Sequence, residues 1–250
     1  GPSSRFADFT TGTDLFNRGY TYVMVDLRGF GGSTGCLDWV GPGEQADVKA
    51  AIQWSAEQPW STGKVGMYGK SYDAVTGLVG NDLKQSALKA VVAQEPVWNM
   101  YNYLFSNGVP RPNVTGTPNA YNDIATMPTL ADDSAEYKAN AAYEDSHPEC
   151  LSDNLANNNN PDLGSTYWKD RDLATKAKGT NTPLFITQVS SRTTRNQRTR
   201  RSTWTTIRAP SGAGWGSGNT CAATRPTVPG SCCRVGPGSS TRSCASTTST

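Results

Sequence analysis

The stretch Val65–Ala74, VGMYGKSYDA, decides how this chain is read. VGMYG has the short apolar and aromatic character of a strand, and SYDAVTGLVGNDL has the small, apolar pattern of a helix packed on a sheet. Ser71 falls on the turn between them. A hydroxyl there sits on a tight elbow above a helix N-terminus, where the next backbone N–H, that of Tyr72, can bind an oxyanion. A serine at a helix start also has a commoner role as an N-cap. The strict pattern Gly-x-Ser-x-Gly is only half made, because Gly69, Lys70, Ser71 and Tyr72 are followed by Asp73. On these ten residues alone, catalysis and capping are equally good readings.

Upstream, YTYVMVD (Tyr20–Asp26) is rich in β-branched and aromatic residues and runs into RGFGGSTG, which predicts a buried strand feeding a glycine-rich loop. GPGEQADVKAAIQWSAEQ places Val48, Ala51, Ile52 and Ser55 at helical spacing, with Pro42 and Gly43 at the entry and Pro59 beyond the end. Downstream, ALKAVVAQEP predicts a third strand, Ala90–Ala93, closed by Pro96. Strand, helix, strand, helix, strand in this order implies a parallel, doubly wound sheet, the α/β class.

After Val97 the periodicity weakens. Asn, Tyr and Pro become frequent, with a helical patch in TLADDSAEYKANAAYED and a polar run in NLANNNNPD, so the segment reads as an inserted, mostly helical cap. TPLFITQV (Thr182–Val189) returns to strand character. The chain therefore divides into a core at 1–96, a cap at 97–178, a return to the core at 179–191 and a tail at 192–250. From Arg192 onward there is no Asp, Glu, Lys, His, Leu, Met, Phe or Tyr, while Arg, Ser, Thr, Gly and Pro dominate. Such a composition cannot build a packed core, and the tail is expected to be disordered.

The net charge of +2 averages two unlike parts: the residues before Arg192 carry 14 basic against 21 acidic side chains, a net of −7, and the tail carries +9. An Arg-rich tail could suggest a nucleic-acid arm, but its aromatics are only Trp204 and Trp215, and no nucleic-acid partner is expected. No apolar run approaches the roughly 20 residues of a membrane span. The start, GPSSRFADFTTGTDLF, has neither an initiator Met nor the basic and apolar regions of a signal peptide, so part of the amino terminus is expected to be missing. Cys36 and Cys150 are the only cysteines before the tail; one disulfide and two reduced thiols both fit. The pair favours export over a cytoplasmic setting.

Taken together, RGYTYVMVDLRGFGGSTG, GPGEQADVKAAIQW, QPWSTGKVGMYGKSYDAVTGL and VVAQEPV resemble the Xaa-Pro dipeptidyl-peptidase family and its cocaine-esterase-like relatives. The resemblance runs from Arg18 to about Asn113, more weakly to Thr187. Elbows of that family typically read GKSYDG, so Asp73 is expected and Ala74 stands where Gly is usual. The resemblance implies an α/β-hydrolase core, incomplete at both ends here, with an inserted helical cap. It implies cleavage of peptide or ester bonds through an acyl-enzyme on Ser71, with the Tyr72 N–H as one oxyanion donor. A tyrosine upstream of the first strand supplies the second donor in that family, and that region is expected to be missing here.

A serine nucleophile needs a base and an acid, which in this fold follow it in the order Ser, Asp, His. The single histidine, His147 in YEDSHPECL, precedes the strand TPLFITQ after which the acid should come, so it reads as a cap or surface residue. No triad Asp or His is identifiable in the sequence as written. Enzymes resembling this one continue after TPLFITQ with a stretch like GFLEDNTKP and later WxHVRGN. Back-translating Gln188–Gln197 as CAG GTT TCC TCG AGG ACA ACA CGA AAC CAG and reading one base earlier than the Val189 codon yields GFLEDNTKP. The same shift over Gly214–Cys221, as GGC TGG GGC AGT GGG AAC ACG TGC, yields LGQWEHV. The two matches predict a one-nucleotide frame change near Gln188, with the Asp codon straddling Arg192 and Thr193 and the His codon straddling Asn219 and Thr220.

Other constellations carry less. The glycines after Asp26 and Arg28 lack a P-loop lysine. Glu44, Asp47 and Glu57 are spaced as a solvated helix face. No His/Cys cluster has metal-ligand spacing, so neither metal nor cofactor is expected. The aromatics of VWNMYNYLFSN (Val97–Asn107) could line a pocket, but packing between cap and core is the default. The partner class is a peptide or small ester, and nothing in the sequence sets the oligomeric state.

Overall fold

A computed structural model describes residues 11–141, 143–190 and 201–205. Helix α1, Pro42–Glu57, begins with proline in its first turn and buries Val48, Ile52 and Ser55, the face its spacing predicted. Strand β1, Val65–Lys70, leads through Ser71 into α2, Tyr72–Asp82, and β2, Leu88–Gln94, follows. β1 and β2 pair in parallel, Gly66 with Ala90 through Lys70 with Gln94. A parallel pair cannot be closed by a hairpin, and α2 supplies the crossover. α2 buries Ala74, Val75, Leu78 and Val79.

Between β2 and the next sheet strand lie short helices and one hairpin. α3 is Met100–Leu104; β3, Phe105–Ser106, and β4, Val109–Pro110, form the hairpin. Its turn is Asn107-Gly108, both at positive φ, the dipeptide that a two-residue hairpin turn favours. Helices α4 (Asn113–Ala125), α5 (Ala135–Ala141), α6 (Tyr143–Ser146), α7 (Glu149–Asn158), α8 (Thr166–Lys169) and α9 (Leu173–Lys176) follow. Tyr101 and Phe105 stack here with ring centroids at 4.7 Å, and Trp168 meets both edge-on. Tyr101 and Phe105, two of the aromatics of Val97–Asn107, thus pack against a later helix. β5, Leu184–Ser190, then returns beside β2 in parallel, and the sheet order is β1-β2-β5-β6. β6, Arg201–Thr205, runs antiparallel to β5. Composition predicted no element there, but RSTWT has the β-branched and aromatic content that pairing with a sheet edge accepts. The rest of the tail lies outside the described residues.

One expected element is absent. Tyr20–Asp26 forms no strand. The apolar pattern was a necessary condition only: a strand also needs a neighbour to ladder with, and among the described residues none pairs with this segment. Tyr20, Met24 and Val25 are exposed as a result. Cys36 and Cys150 are joined as a disulfide, tying the end of the glycine-rich loop to α7.

Candidate active site

Ser71 has φ 57° and ψ −120°, values that a II′-type turn normally gives to glycine. Holding a non-glycine residue there costs about 1–3 kcal/mol, strain that persists only where the surroundings enforce it. The enforcement is visible. The Ser71 N–H donates to the Gln94 carbonyl at 2.9 Å, and the Ser71 carbonyl accepts from Ala74 and Val75 at 3.0 and 3.1 Å. Gly69 leaves the space that the chain needs to turn back, since a Cβ there would come to 2.5 Å from the Asp73 Cβ. An N-cap serine uses extended backbone and bonds the first helical turn through its side chain. Ser71 does neither, and its side chain makes no capping hydrogen bond. The residue is exposed at the head of α2.

Tyr72, by contrast, is buried at 8% exposure. Its hydroxyl donates to Glu44 at 2.7 Å, and its ring lies edge-on to Trp39 at 5.9 Å and tilted against Tyr121 at 5.2 Å. The expectation of a solvated carboxylate face on α1 fails here. Glu44 is 1% exposed and also accepts from the Asp38 and Val40 N–H groups at 2.8 and 3.0 Å. Burial raises its carboxyl above the ordinary range, and the Tyr72, Val40 and Asp38 donors pull it back only in part. Burial first, and then the Glu44 charge, raises the Tyr72 hydroxyl well above its usual value. Asp47 is engaged too, in a two-pronged pair with Arg28 at 2.6 and 2.9 Å that anchors the glycine-rich loop. Of the three acids Glu44 alone is buried; Asp47 is partly exposed and Glu57 is exposed. Nothing in the helical spacing distinguished Glu44; its donors come from a turn and a helix that only the fold brings together.

That turn, Asp38–Val40, is fixed from outside. Arg171, 6% exposed, donates to the carbonyls of Asp38 at 2.8 Å and Trp39 at 3.1 Å and pairs with the Asp38 carboxylate at 2.8 Å. Gln45 donates to the Val40 carbonyl at 2.6 Å. His147 lies elsewhere: its Nδ1 is 2.7 Å from the Tyr143 carbonyl and its ring stacks on Tyr143 at 3.9 Å. Among the described residues no group of three or more His, Cys, Asp or Glu side chains could hold a metal, and no helix is long and apolar enough to cross a membrane. The positions that the shifted frame assigns to the acid and base, 192–193 and 219–220, lie outside the described residues.

A sheet with a parallel core, β1-β2-β5, packed with helices and carrying a serine on a left-handed strand-to-helix elbow, defines the α/β-hydrolase class. The sequence pattern of the X-Pro dipeptidyl-peptidase (S15 family) matches residues 3–212, and the chain belongs to that family. The matched range runs past Ser191 into the Arg-rich stretch. A Streptomyces avermitilis protein named for Xaa-Pro dipeptidyl-peptidase activity is 33% identical over 111 residues, 37% of this chain and 16% of its own length. A Mycobacterium bovis protein named as a serine esterase is 29% identical over 108 residues, 42% of this chain and 17% of its own. The chain thus spans about a sixth of the length of these curated relatives. Among solved structures, a CocE/NonD family hydrolase from Staphylococcus aureus is 27% identical, with a TM-score of 0.44 over 63% of this chain and 25% of that one.

Proposed function

We propose that this chain carries the nucleophile half of a serine hydrolase that releases N-terminal Xaa-Pro dipeptides through an acyl-enzyme on Ser71. The observation that carries the reading is the Ser71 elbow itself: an exposed hydroxyl at φ 57°, unspent on the helix it precedes. In this reading Ser71 Oγ attacks the scissile carbonyl, a base takes its proton and returns it to the leaving amine, and the Tyr72 N–H receives the developing oxyanion. Water then hydrolyses the acyl-serine. The acid and base are those of the shifted frame, at codons straddling residues 192–193 and 219–220. Family membership and the Streptomyces relative support the peptidase reading; the mycobacterial relative supports a second reading as an acyl esterase. The Cys36–Cys150 disulfide supports export, the setting in which such bonds persist.

A fluorophosphonate probe tests this on two proteins, the 250-residue chain and the chain translated in the shifted frame beyond Gln188. The first is expected to stay unlabelled, because its serine has no base, and the second to label at Ser71 and lose the label in Ser71→Ala. Labelling that survives Ser71→Ala ends the nucleophile assignment. Genomic sequence whose other frame lacks the Asp and His motifs ends the frame assignment. Turnover of an Xaa-Pro anilide against a simple aryl ester separates peptidase from esterase.

A further inference from the structure

Glu44 is a carboxylate buried at some cost, and its surroundings show what that cost maintains. Trp39 and Val40 both have left-handed backbones, at φ 47° and 66°. For a β-branched residue such as Val40 this is an outlier, kept only where neighbours over-determine it. The neighbours are Glu44 on the Asp38 and Val40 N–H groups, Arg171 on the Asp38 and Trp39 carbonyls, and Gln45 on the Val40 carbonyl. The strained turn delivers the Trp39 ring against Tyr72, and Tyr121 closes the cluster, 5.2 Å from each. Tyr72 is therefore held at its hydroxyl by Glu44 and along its ring by two aromatics. With the side chain fixed at both places, the backbone N–H of Tyr72 and the adjoining Ser71 turn lose their freedom to reorient.

We infer that Glu44 is a positioning residue for the elbow: by anchoring the Tyr72 hydroxyl it aims the Tyr72 N–H and holds the left-handed backbone of Ser71. The inference rests on the reading of Ser71 as nucleophile. No proton changes hands, because Tyr72 stays the donor and Glu44 the acceptor throughout.

The test uses Glu44→Gln, Tyr72→Phe and the double variant. In the chain translated in the shifted frame, each single variant should slow fluorophosphonate labelling of Ser71 by about tenfold or more. The double variant should be no slower than the worse single one, because both act through one hydrogen bond. Affinity for a peptidyl boronate that mimics the tetrahedral intermediate should fall by the same factor, while KM for an Xaa-Pro anilide stays within about threefold. In the 250-residue chain, the Ala74 and Val75 amides, both bonded to the Ser71 carbonyl, should exchange at least about threefold faster in both variants, with the β1–β2 ladder unchanged.

Tyr72→Phe with wild-type labelling and wild-type exchange overturns the inference, as do single effects that multiply in the double variant. If Glu44→Gln does not fold, Tyr72→Phe decides alone, since it leaves Glu44 its Asp38 and Val40 donors. If the shifted-frame protein is not labelled at all, amide exchange decides. Labelling that persists in Ser71→Ala refutes the nucleophile reading instead, so the two failures are distinguishable.

Discussion

Gly69→Ala is the perturbation that most directly interrogates the elbow, and Gly66→Ala on the same strand is its control. An alanine Cβ at 69 would lie 2.5 Å from the Asp73 Cβ and closer still to the Asp73 carbonyl group. Ordinary contact begins at 3.4 Å, so the first turn of α2 must retreat from β1 by about 1 Å, and the obstacle is backbone that no rotamer change can move. Overpacking of this kind costs about 1–3 kcal/mol. In a chain of this size that lowers the midpoint of thermal unfolding by about 2–12 °C. A shift of about 1 Å at a reacting group costs about 100-fold in rate. At 66 the nearest atom to a new Cβ is the Ala90 carbonyl oxygen at 3.9 Å, so Gly66→Ala should stay within about 0.5 kcal/mol of wild type. Thermal scans of the 250-residue chain and probe labelling of the shifted-frame chain read the two quantities. Equal behaviour of the two variants would refute the reasoning, because the cause would then be alanine in the strand rather than closure of the elbow.

Two further outcomes concern stability. The Cys36–Cys150 bond spans 114 residues. Chain entropy then gives about 5 kcal/mol of stabilisation, less where the reduced chain keeps residual structure, so the double variant Cys36→Ser, Cys150→Ser should unfold about 10–20 °C lower. A shift under about 2 °C would refute the entropic account. Burial pushes the Asp82 carboxyl up to about 7, with Asn81, Lys176 and Lys84 opposing only in part, and among the described residues its Oδ2 has no hydrogen-bond partner. Between the unfolded value of about 4 and 7, the folded chain keeps a proton that the unfolded chain sheds. Stability from this group is therefore full below about pH 4 and lost as pH rises through 7. Asp82→Asn should melt above wild type at pH 8 and match it at pH 4; a gap independent of pH would contradict this.

The elements legible in the sequence are those that local spacing specifies. Val48, Ile52 and Ser55 repeat at helical intervals and are buried together; the valines of KAVVAQ and the glycine-interrupted VGMYG form adjacent parallel strands. Tyr20–Asp26 carries an equally good strand pattern, yet a ladder belongs to two segments and the sequence of one cannot supply the other. Glu44 departs from the solvated face its spacing predicts for a related reason. Its acceptor role depends on Tyr72, 28 residues on, and the turn that supplies its other donors is pinned by Arg171, 133 residues from Asp38. The disulfide stayed open between two readings because two distant cysteines have no local signature. Ser71 was legible only in context: its ten residues fit a cap as well as a nucleophile, and the flanking motifs rather than the turn chemistry separated the two.

The left-handed backbone at position 71 also bears on how the gene can drift. Threonine carries the same hydroxyl, but its second heavy atom on Cβ makes that backbone an outlier, so a swap between the two alcohols adds strain before chemistry is consulted, as Val40 at φ 66° bears it only under the hold of its neighbours. The replacements that ease the turn are glycine, asparagine and aspartate. Once selection for turnover lapses in a lineage, stability itself would favour erasing the serine, and the position would record that loss early.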